Sequence, residues 1–534
     1  MTSASQNGRP DRSTIFPEVV SLPPEVLTRH RVRLLDPSTA VRAADGSWPL
    51  STAYRADRLL VPAGEVPGLI DERNEYNAAL EPLDVVLAPT KEEIARGVHP
   101  DLPVPVTLVA RNRTVLDRPP DPWAALVALR RHFGDDPRGR RVGLDHLTVS
   151  ASVTFEGAPV NQGGAVGGVP VNQGGGLVGG RVALHTGNRN PVAMLGAAPL
   201  RRPPESLPGR RRPVVAVLDT GIGPHPWLTG GPAGDQVVEV SADFQTALAA
   251  HEGSGPGLLL ASPDDELDRI QPLLGLTDSH SGHGTFCAGL VHQLCPDARV
   301  LSLRVLHTDG FSTEGSVLFA LDWLRDRVAR AIKDKRPDLL VDVVSLSLGF
   351  YAETTDPAEV TQVADAIERL TALGVVVVSA SGNDATTRPF LPAAFGQDDA
   401  GNGNPLLAAV GALNASGNTT AAFSNHGPWV WRWAPGDALV STVPTTWEGA
   451  AGPGLATLDG GGLGPRSRTA PDPDDLRTGF AVWAGTSFAT PVVAGLVASA
   501  MLREGEVTVM DFGEGRARLA LASADRELSD RRWR

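Results

Sequence analysis

Three short segments of the chain carry residues suited to nucleophilic catalysis. Asp219 follows an apolar run, His283 lies within Ser-Gly-His-Gly-Thr, and Ser487 lies within Ala-Gly-Thr-Ser-Phe-Ala-Thr-Pro. A serine hydroxyl can attack an acyl carbon when an imidazole takes its proton and a carboxylate holds the imidazole in the required tautomer. The segments therefore predict a site for acyl transfer at a peptide bond, with Ser487 as nucleophile, His283 as base and Asp219 as the orienting acid.

At these residues the chain resembles the subtilisin-like serine proteases, or subtilases, in which the same three residue types occur in the same order. The resemblance extends over about residues 213–520. It implies a serine endopeptidase that hydrolyses protein or peptide substrates without a cofactor. By the same resemblance, Asn383 in Ser-Ala-Ser-Gly-Asn-Asp supplies the side-chain donor of an oxyanion hole, beside the backbone N–H of Ser487.

The resemblance also implies which residues bind the substrate. Two segments are expected to pair with an extended peptide as edge strands, which is the mode called β-augmentation. A glycine near the predicted oxyanion donor is expected to line the primary pocket. The predicted substrate-binding residues are Ser347, Leu348, Gly349, Asp309, Gly310 and Gly382.

Each motif alone has other interpretations. Asp-Thr-Gly also occurs in pepsin-like proteases, but their chemistry needs two such carboxylates and no second copy exists here. Ser487 alone could be a helix N-cap. His280 and His283 lack the carboxylate-plus-histidine helix motif of a metal site, so no metal is predicted. For the whole chain, the alternative to a protease is a catalytically silent scaffold that binds peptides in the same groove.

Length and charge limit the possible classes of protein. A chain of 534 residues is too long for one hydrophobic core, so two or three domains are expected. The formal net charge is −13, with +4 on residues 1–212 and −17 on residues 213–534. The acidic charge of the second part argues against nucleic acid as the main partner.

Apolar runs and cysteines bear on the compartment. No run of 18 apolar residues is present, so neither a transmembrane helix nor a membrane partner is expected. The first 20 residues lack the apolar core of a secretory signal, which predicts a cytoplasmic protein, with secretion by another route as the alternative. On a helix, Cys287 and Cys295 would lie about 12 Å apart, beyond the roughly 7 Å limit of a disulfide, so free thiols are predicted.

The second part of the chain has the pattern of an α/β fold. Near-continuous apolar runs, typical of strands buried on both faces, alternate with helical patterns. This predicts a mainly parallel, doubly wound, subtilisin-like domain over residues 213–534. Two insertions, Ser241–Thr277 and Thr445–Arg477, interrupt it. The predicted elements are strands Val214–Leu218, Val300–Val305, Val341–Leu348 and Val375–Ala380 and helices Gly315–Lys333 and Pro357–Leu373.

The first part predicts three further regions. Residues 1–53 are expected to be a loosely ordered arm, and residues 156–212 a Gly-, Pro- and Arg-rich linker that contains a repeated Asn-Gln-Gly-Gly motif. Residues 54–155 are expected to form a small α+β domain with split βαβ topology. Its predicted strands are Arg58–Val61, Asp84–Ala88, Val104–Ala110 and Val142–Phe155, and its predicted helices are Val66–Leu80 and Asp121–Phe133.

The resemblance gives this small domain a role. Subtilases often carry a prodomain of this kind, which assists folding and then occupies the substrate groove as an intramolecular inhibitor. A self-processed precursor is therefore expected, with cleavage between about Ser150 and Arg212, in a segment whose glycines favour exposure to proteolysis. The alternative is that the domain stays attached as a regulatory or binding module.

Overall fold

The computed structural model describes most of the chain. The Asn-Gln-Gly-Gly repeat and parts of both predicted insertions lie outside the described residues. Those described are residues 20, 22, 24–71, 73–91, 94, 102–111, 119–151, 190–207, 211–229, 235–252, 279–398, 400–446, 456–458, 466–468, 476–503 and 512–530.

A parallel sheet of seven strands forms the centre of the second part of the chain. Its central strands Val214–Asp219 and Val376–Ala380 are buried on both faces, which agrees with the continuous apolar runs of the sequence. The α/β prediction is therefore confirmed. From one edge to the other the strands are β15 (Arg432–Pro435), β14 (Leu407–Leu413), β13 (Val376–Ala380), β11 (Val343–Leu346), β7 (Val214–Asp219), β9 (Arg299–Arg304) and β8 (Val238–Val240).

Helices cover both faces of this sheet. Along β7, Val215 and Val217 pack into one hydrophobic cluster, and Val214, Ala216 and Leu218 pack into another on the opposite face. The first cluster includes residues of α7 (His283–Leu294), α10 (Thr486–Arg503) and α11 (Glu514–Asp530). The second includes residues of α6 (Ala242–Glu252), α8 (Glu314–Lys333) and α9 (Thr361–Thr371).

The N-terminal part forms a small antiparallel sheet with helices of its own. Its four main strands are ordered β5-β2-β4-β3, and each neighbouring pair is antiparallel. This is the order that split βαβ topology requires. The strands are β2 (Thr52–Pro62), β3 (Val85–Leu87), β4 (Pro103–Ala110) and β5 (Gly143–Ser150), and the helices are α2 (Glu75–Ala79), α3 (Pro122–Phe133) and α4 (Pro137–Arg140).

Two predictions for this part differ from the structure. The described residues of the expected arm include helix α1 (Pro24–Arg29) and strand β1 (Val32–Leu35), and β1 pairs with β2 because its apolar residues complete a hydrophobic cluster. The predicted helix Val66–Leu80 is divided into a 3-10 helix, Val66–Ile70, and α2. Asn74 separates them because its side chain caps α2 by accepting the N–H of Tyr76.

Two strands of the α/β part extend the antiparallel sheet of the N-terminal part. Strand β5 lies between two short strands of the α/β part, β10 (Phe311–Thr313) and β12 (Leu348–Gly349), and pairs antiparallel with both. Smaller elements are α5 (Pro226–Thr229) and strands β6 (Asn190–Pro191), β16 (Leu439–Thr442), β17 (Ala456–Leu458), β18 (Arg466–Arg468) and β19 (Phe480–Trp483).

Helix α10 is the one described helix that is long and apolar enough to cross a membrane by length and composition alone. The helix contains no unbroken run of 18 apolar residues, because Ser487 and Thr490 interrupt it. However, 83% of this stretch is buried inside the structure, as expected of a core helix, so it is weak evidence of a membrane span.

A buried carboxylate joins both ends of the α/β part. Asp342 accepts two hydrogen bonds from Arg211, at 2.9 and 2.6 Å, and one from Arg516 at 2.9 Å. It also accepts the N–H of Val214 at 2.8 Å, at the start of the central strand β7. Burial alone would raise the pKa of Asp342, but the two guanidinium groups hold this pKa below its ordinary value.

We expect Asp342→Ala to lower the free energy of unfolding by about 3–5 kcal/mol, because it leaves two largely buried arginines without their shared carboxylate. Chemical denaturation measures this loss. Asp338→Ala is the matched control, since Asp338 pairs with Arg336 at the surface at 2.6 Å and its loss should change stability little. Equal effects of the two substitutions would contradict a structural role for Asp342.

Candidate active site

Asp219, His283 and Ser487 form a hydrogen-bonded chain. His283 Nδ1 is 2.7 Å from Oδ1 of Asp219, and His283 Nε2 is 2.9 Å from Oγ of Ser487. All three residues are buried. In this arrangement the carboxylate favours the tautomer with the proton on Nδ1, so Nε2 can accept the proton of the serine hydroxyl.

The central sheet positions the carboxylate. Asp219 is the last residue of β7, so it lies at the edge where the carboxyl ends of parallel strands converge. Its Oδ1 also accepts the N–H of Thr220 at 2.7 Å. The turn after the strand therefore holds the carboxylate in the orientation that the imidazole needs.

A close approach between α7 and this turn brings the imidazole to Asp219. His283 is the first residue of α7, and Gly282 precedes it with a φ of 76°, in the left-handed region. The N–H of Gly284 donates to Oγ1 of Thr220 at 3.0 Å. A Cβ atom on Gly284 would lie 2.1 Å from the carbonyl oxygen of Gly221, so a larger residue would push the helix away.

Two N–H donors converge beside the serine. The backbone N–H of Ser487, in the first turn of α10, donates to the carbonyl oxygen of Ala151 at 2.9 Å. The side-chain amide of Asn383, which lies shortly after β13, donates to the same oxygen. Asn383 is oriented because its Oδ1 accepts the N–H of Thr486 at 2.9 Å. These donors, at the positive end of a helix dipole, can stabilise an oxyanion.

The chain itself occupies the cleft that leads to these donors. The segment that ends in Ser150 and Ala151 is extended and lies between two backbone segments of the α/β part. The N–H of Ser150 donates to the carbonyl of Gly310 at 2.8 Å, and the N–H of Ala151 donates to the carbonyl of Ser347 at 2.9 Å. The Oγ atom of Ser150 is 3.2 Å from His283 Nε2. The carbonyl of Ala151 is thus held beside Ser487 and Asn383 by backbone hydrogen bonds on both sides of the segment.

Most of the predicted substrate-binding residues surround this peptide. Ser347 and Gly310 hold its backbone as described, and Leu348 and Gly349 stand opposite Ser150 and Val149 in the antiparallel ladder. Gly382 directly precedes Asn383, and its N–H donates to Oγ1 of Thr486 at 3.2 Å. This agrees with the expected positions, while their roles toward an external substrate stay predictions.

The side chain of Asp309, which directly precedes Gly310, contacts the N-terminal part of the chain, and its role toward a substrate stays a prediction. Its carboxylate pairs with His30 at 2.8 Å and with Arg29 at 3.2 Å, so it binds the N-terminal helix α1 and the residue after it. Burial alone would raise the pKa of Asp309, but the hydrogen bond and charge of His30 lower it to about 2. No local motif indicates this pair, because the two residues are 279 positions apart.

A second buried cluster next to the cleft was not found from the sequence. His146 of β5 lies between two carboxylates of the α/β part, with Nδ1 2.6 Å from Glu314 and Nε2 2.9 Å from Glu353. Its ring stacks on Phe350, with 4.6 Å between centroids. Burial alone would lower the pKa of His146, but the two carboxylates raise it to about 10. Partners 168 and 207 positions away leave no local motif in the sequence.

The site also contains a group of potential metal ligands. Within the described ranges, the ligand atoms of Asp219, His283 and Cys287 all lie within 4.8 Å of one another. A cation there would compete with the 2.7 Å hydrogen bond between Asp219 and His283. The hydrogen bonding of the three catalytic candidates already explains the group, so we assign no metal. Neither Cys287 nor Cys295 forms a disulfide, as predicted, and both are buried.

Comparisons with known proteins agree with this geometry. A family model described as the subtilase family matches residues 210–519. Serine protease AprX of Bacillus subtilis (strain 168) is 26% identical over 313 residues, which are 55% of this chain and 58% of that protein. Subtilisin BL of Lederbergia lenta is 28% identical over 245 residues, which are 46% of this chain and 71% of that protein. The chain thus spans little over half the length of AprX.

A solved structure was also found, titled "Crystal structure of a cold adapted subtilisin-like serine proteinase". It matches with 21% identity and a TM-score of 0.34, and the match covers 59% of this chain and 81% of that chain. A score this low adds nothing to the assignment, which depends on the family match and on the residues of the site.

We expect Gly284→Ala to lower the free energy of unfolding by about 1–3 kcal/mol, because the new methyl group collides with the carbonyl of Gly221. Gly515→Ala is the matched control. Gly515 is also the second residue of a helix, and a Cβ there meets nothing within 4 Å, so the change should stabilise the protein by up to about 1 kcal/mol. Thermal unfolding of both variants checks this, and stabilisation by Gly284→Ala would refute the close approach.

Proposed function

The chain belongs to the subtilase family, and on that premise we propose that it is a serine endopeptidase made as a self-processed precursor. The observation that carries the proposal is the carbonyl of Ala151. It accepts hydrogen bonds from Ser487 and Asn383 while the Ser487 hydroxyl is hydrogen-bonded to His283. A peptide carbonyl, a nucleophile, a base and two oxyanion donors therefore converge in one place.

The proposed reaction proceeds by acyl transfer. Oγ of Ser487 attacks the carbonyl carbon as His283 Nε2 takes the hydroxyl proton, and Asp219 stabilises the imidazolium that forms. The negative charge on the carbonyl oxygen is stabilised by the N–H of Ser487 and the amide of Asn383. His283 then gives its proton to the leaving amine. Water, activated by the same imidazole, hydrolyses the acyl-enzyme and restores the serine.

Substrates are proposed to bind as an added strand. The segment Gly143–Ser150 provides the example, since it pairs with β10 on one side and β12 on the other. Main-chain hydrogen bonds supply affinity in this mode without regard to most side chains, and pockets for individual side chains supply the selectivity. Protein or peptide chains that can become extended are thus the proposed substrates.

The N-terminal part is proposed to be both the first substrate and an inhibitor of the site. The bond proposed for attack is the one between Ala151 and Ser152, and the support for it is that the carbonyl of Ala151 lies against the oxyanion donors. It falls within the interval expected for cleavage. While the segment remains bound, it excludes other peptides from the cleft.

Charged side chains reinforce this docking. Asp145 accepts the N–H of Gly315 in the first turn of α8 at 2.9 Å and pairs with Arg58 at 2.5 Å. The next residue, His146, is enclosed by Glu314 and Glu353. Arg130 of the N-terminal part lies 3.4 Å from Glu353. Burying Glu314 and Glu353 costs solvation energy, which their pairing with His146 and Arg130 offsets only in the docked geometry, so these pairs favour one register of the strand.

Self-cleavage tests the proposal directly. We expect the wild-type chain to yield a fragment whose first residue is Ser152 and to react with a fluorophosphonate probe at Ser487. Ser487→Ala removes the nucleophile and should stay full length and unlabelled. N-terminal sequencing and mass spectrometry of both proteins measure this.

Ser150→Ala is the control, since it removes a nearby hydroxyl 3.2 Å from His283 without removing the nucleophile, and it should still be cleaved. A correctly folded wild type that neither cleaves itself nor reacts with the probe would support the alternative, a peptide-binding scaffold. Cleavage of Ser487→Ala at the normal rate would refute the assignment of the nucleophile.

Docking of the cleaved N-terminal segment should weaken as the pH rises. The pKa of His146 is about 10 when it is docked and is expected near its ordinary value of about 6.5 when it is released. A group whose pKa is raised by binding stabilises the complex fully when the pH is below its pKa in the released segment. This stabilisation is lost as the pH rises to its pKa in the complex. The affinity should therefore fall by up to about tenfold per pH unit between pH 7 and 9. Size-exclusion chromatography of the cleaved complex measures the released fraction without using activity.

His146→Gln should remove most of this pH dependence, because glutamine carries no titrating proton. His132→Gln is the matched control. His132 belongs to the same domain, but it is exposed and its ion pair with Glu75, at 3.5 Å, is exposed as well. An equal pH dependence in wild type and His146→Gln would show that other groups control release.

A further inference from the structure

We propose that this site cleaves after alanine or a residue of similar size, glycine or serine, because Phe390 closes the pocket that receives the side chain before the cleaved bond. The inference rests on the proposed function and adds the chemical class of the preferred substrate. It is carried by the surroundings of Ala151, whose carbonyl lies at the oxyanion donors.

The methyl group of Ala151 identifies the pocket. Since its carbonyl is held by Ser487 and Asn383, its side chain is the one next to the bond placed for attack. Ala151 is only 3% exposed, and it belongs to one small hydrophobic cluster with Ala380 and Phe390. The pocket is therefore already filled when its occupant has a single methyl group.

The ring of Phe390 extends across the space between the two walls of the pocket. One wall is the segment of Gly349, and the other is the segment of Gly382. A Cβ atom on Gly349 would lie 2.4 Å from Cε1 of Phe390, and a Cβ atom on Gly382 would lie 3.1 Å from its Cγ. Because the ring lies against both backbone segments, it forms the floor beneath the side chain of Ala151.

The surrounding contacts hold this ring in place. Tyr351 packs edge-on against Phe390, with 5.1 Å between ring centroids. The hydroxyl of Tyr351 donates to Asp384 and accepts the side-chain amide of Asn425 at 2.7 Å. The next residue, Leu391, exchanges two backbone hydrogen bonds with Phe350, at 2.8 and 2.9 Å. Phe390 is itself only 1% exposed.

A larger side chain in the substrate would have to displace this fixed ring. Overpacking of a filled and rigid site is unfavourable, and even one methylene group changes selectivity by about 10–200-fold when a pocket is matched to its ligand. Substrates with leucine or phenylalanine before the cleaved bond should therefore react at least about 100-fold more slowly than the alanine substrate.

Fluorogenic peptides that differ only at this position, as Ala, Leu or Phe, test the inference on the self-cleaved enzyme. Wild type should favour Ala in kcat/KM by about 100-fold or more, and Phe390→Ala should reduce this preference at least tenfold. Phe244→Ala is the matched control, because Phe244 is equally buried but packs against Trp323 on α8, and it should keep the wild-type preference. Fluorophosphonate labelling gives the concentration of active sites in each variant.

A wild type that cleaves after Leu or Phe within tenfold of Ala would overturn the inference. Failure of labelling would instead count against the proposed function, and a second measurement then still tests the pocket. In the Ser487→Ala chain, Ala151→Phe should lower the Tm clearly, and it should do so much less when Phe390→Ala is also present. Additive changes in Tm would show that the two side chains do not compete for the same space.

Discussion

The hydrogen bond between Asp219 and His283 is the constraint on which the arrangement of the α/β part depends. The two residues are 64 positions apart, and they meet because β7 ends where α7 begins, at one edge of a parallel sheet. Ser487 reaches the same edge from the first turn of α10. A parallel sheet of this kind is covered by helices on both faces, so its inner strands are apolar on both sides. The helices and strands therefore form two large hydrophobic clusters, one on each face of the sheet. Gly284 is the local requirement, since it lets the helix touch the turn.

The same edge of the fold also explains how the N-terminal part is bound. A strand that pairs on both sides gains main-chain hydrogen bonds in any register that keeps the ladder intact, so backbone pairing alone does not define its position. The charged side chains determine the register of the strand. Asp145 meets the N-terminus of α8, and His146 fits between Glu314 and Glu353, so a shift by one residue would separate His146 from both of its carboxylates. In the observed register, Ala151 lies at the oxyanion donors.

Features that depend on neighbouring residues could be predicted from the sequence. The apolar run before Asp219 predicted a strand buried on both faces, and the three catalytic candidates lie in compact motifs that fix both residue and element. Contacts between residues far apart in the chain could not be predicted from the sequence. The pairing of the Asp309 carboxylate with His30, 279 positions away, is one example. The floor formed by Phe390 depends on backbone segments that meet only in three dimensions. The compartment and the role of the N-terminal part stay predictions.

On the proposed function, a single segment is both the substrate and the inhibitor, and the structure supports a physical reason why these roles do not conflict. Cleavage after Ala151 breaks one bond but leaves the strand Gly143–Ser150, its ladder and the enclosed His146 unchanged. What changes is the connection: before cleavage the segment is tethered and its effective concentration at the cleft is high, whereas afterwards a dissociated segment must return from solution. Self-cleavage would therefore not open the cleft. It would convert a permanent occupant into one whose release depends on the strength of the buried charge pairs.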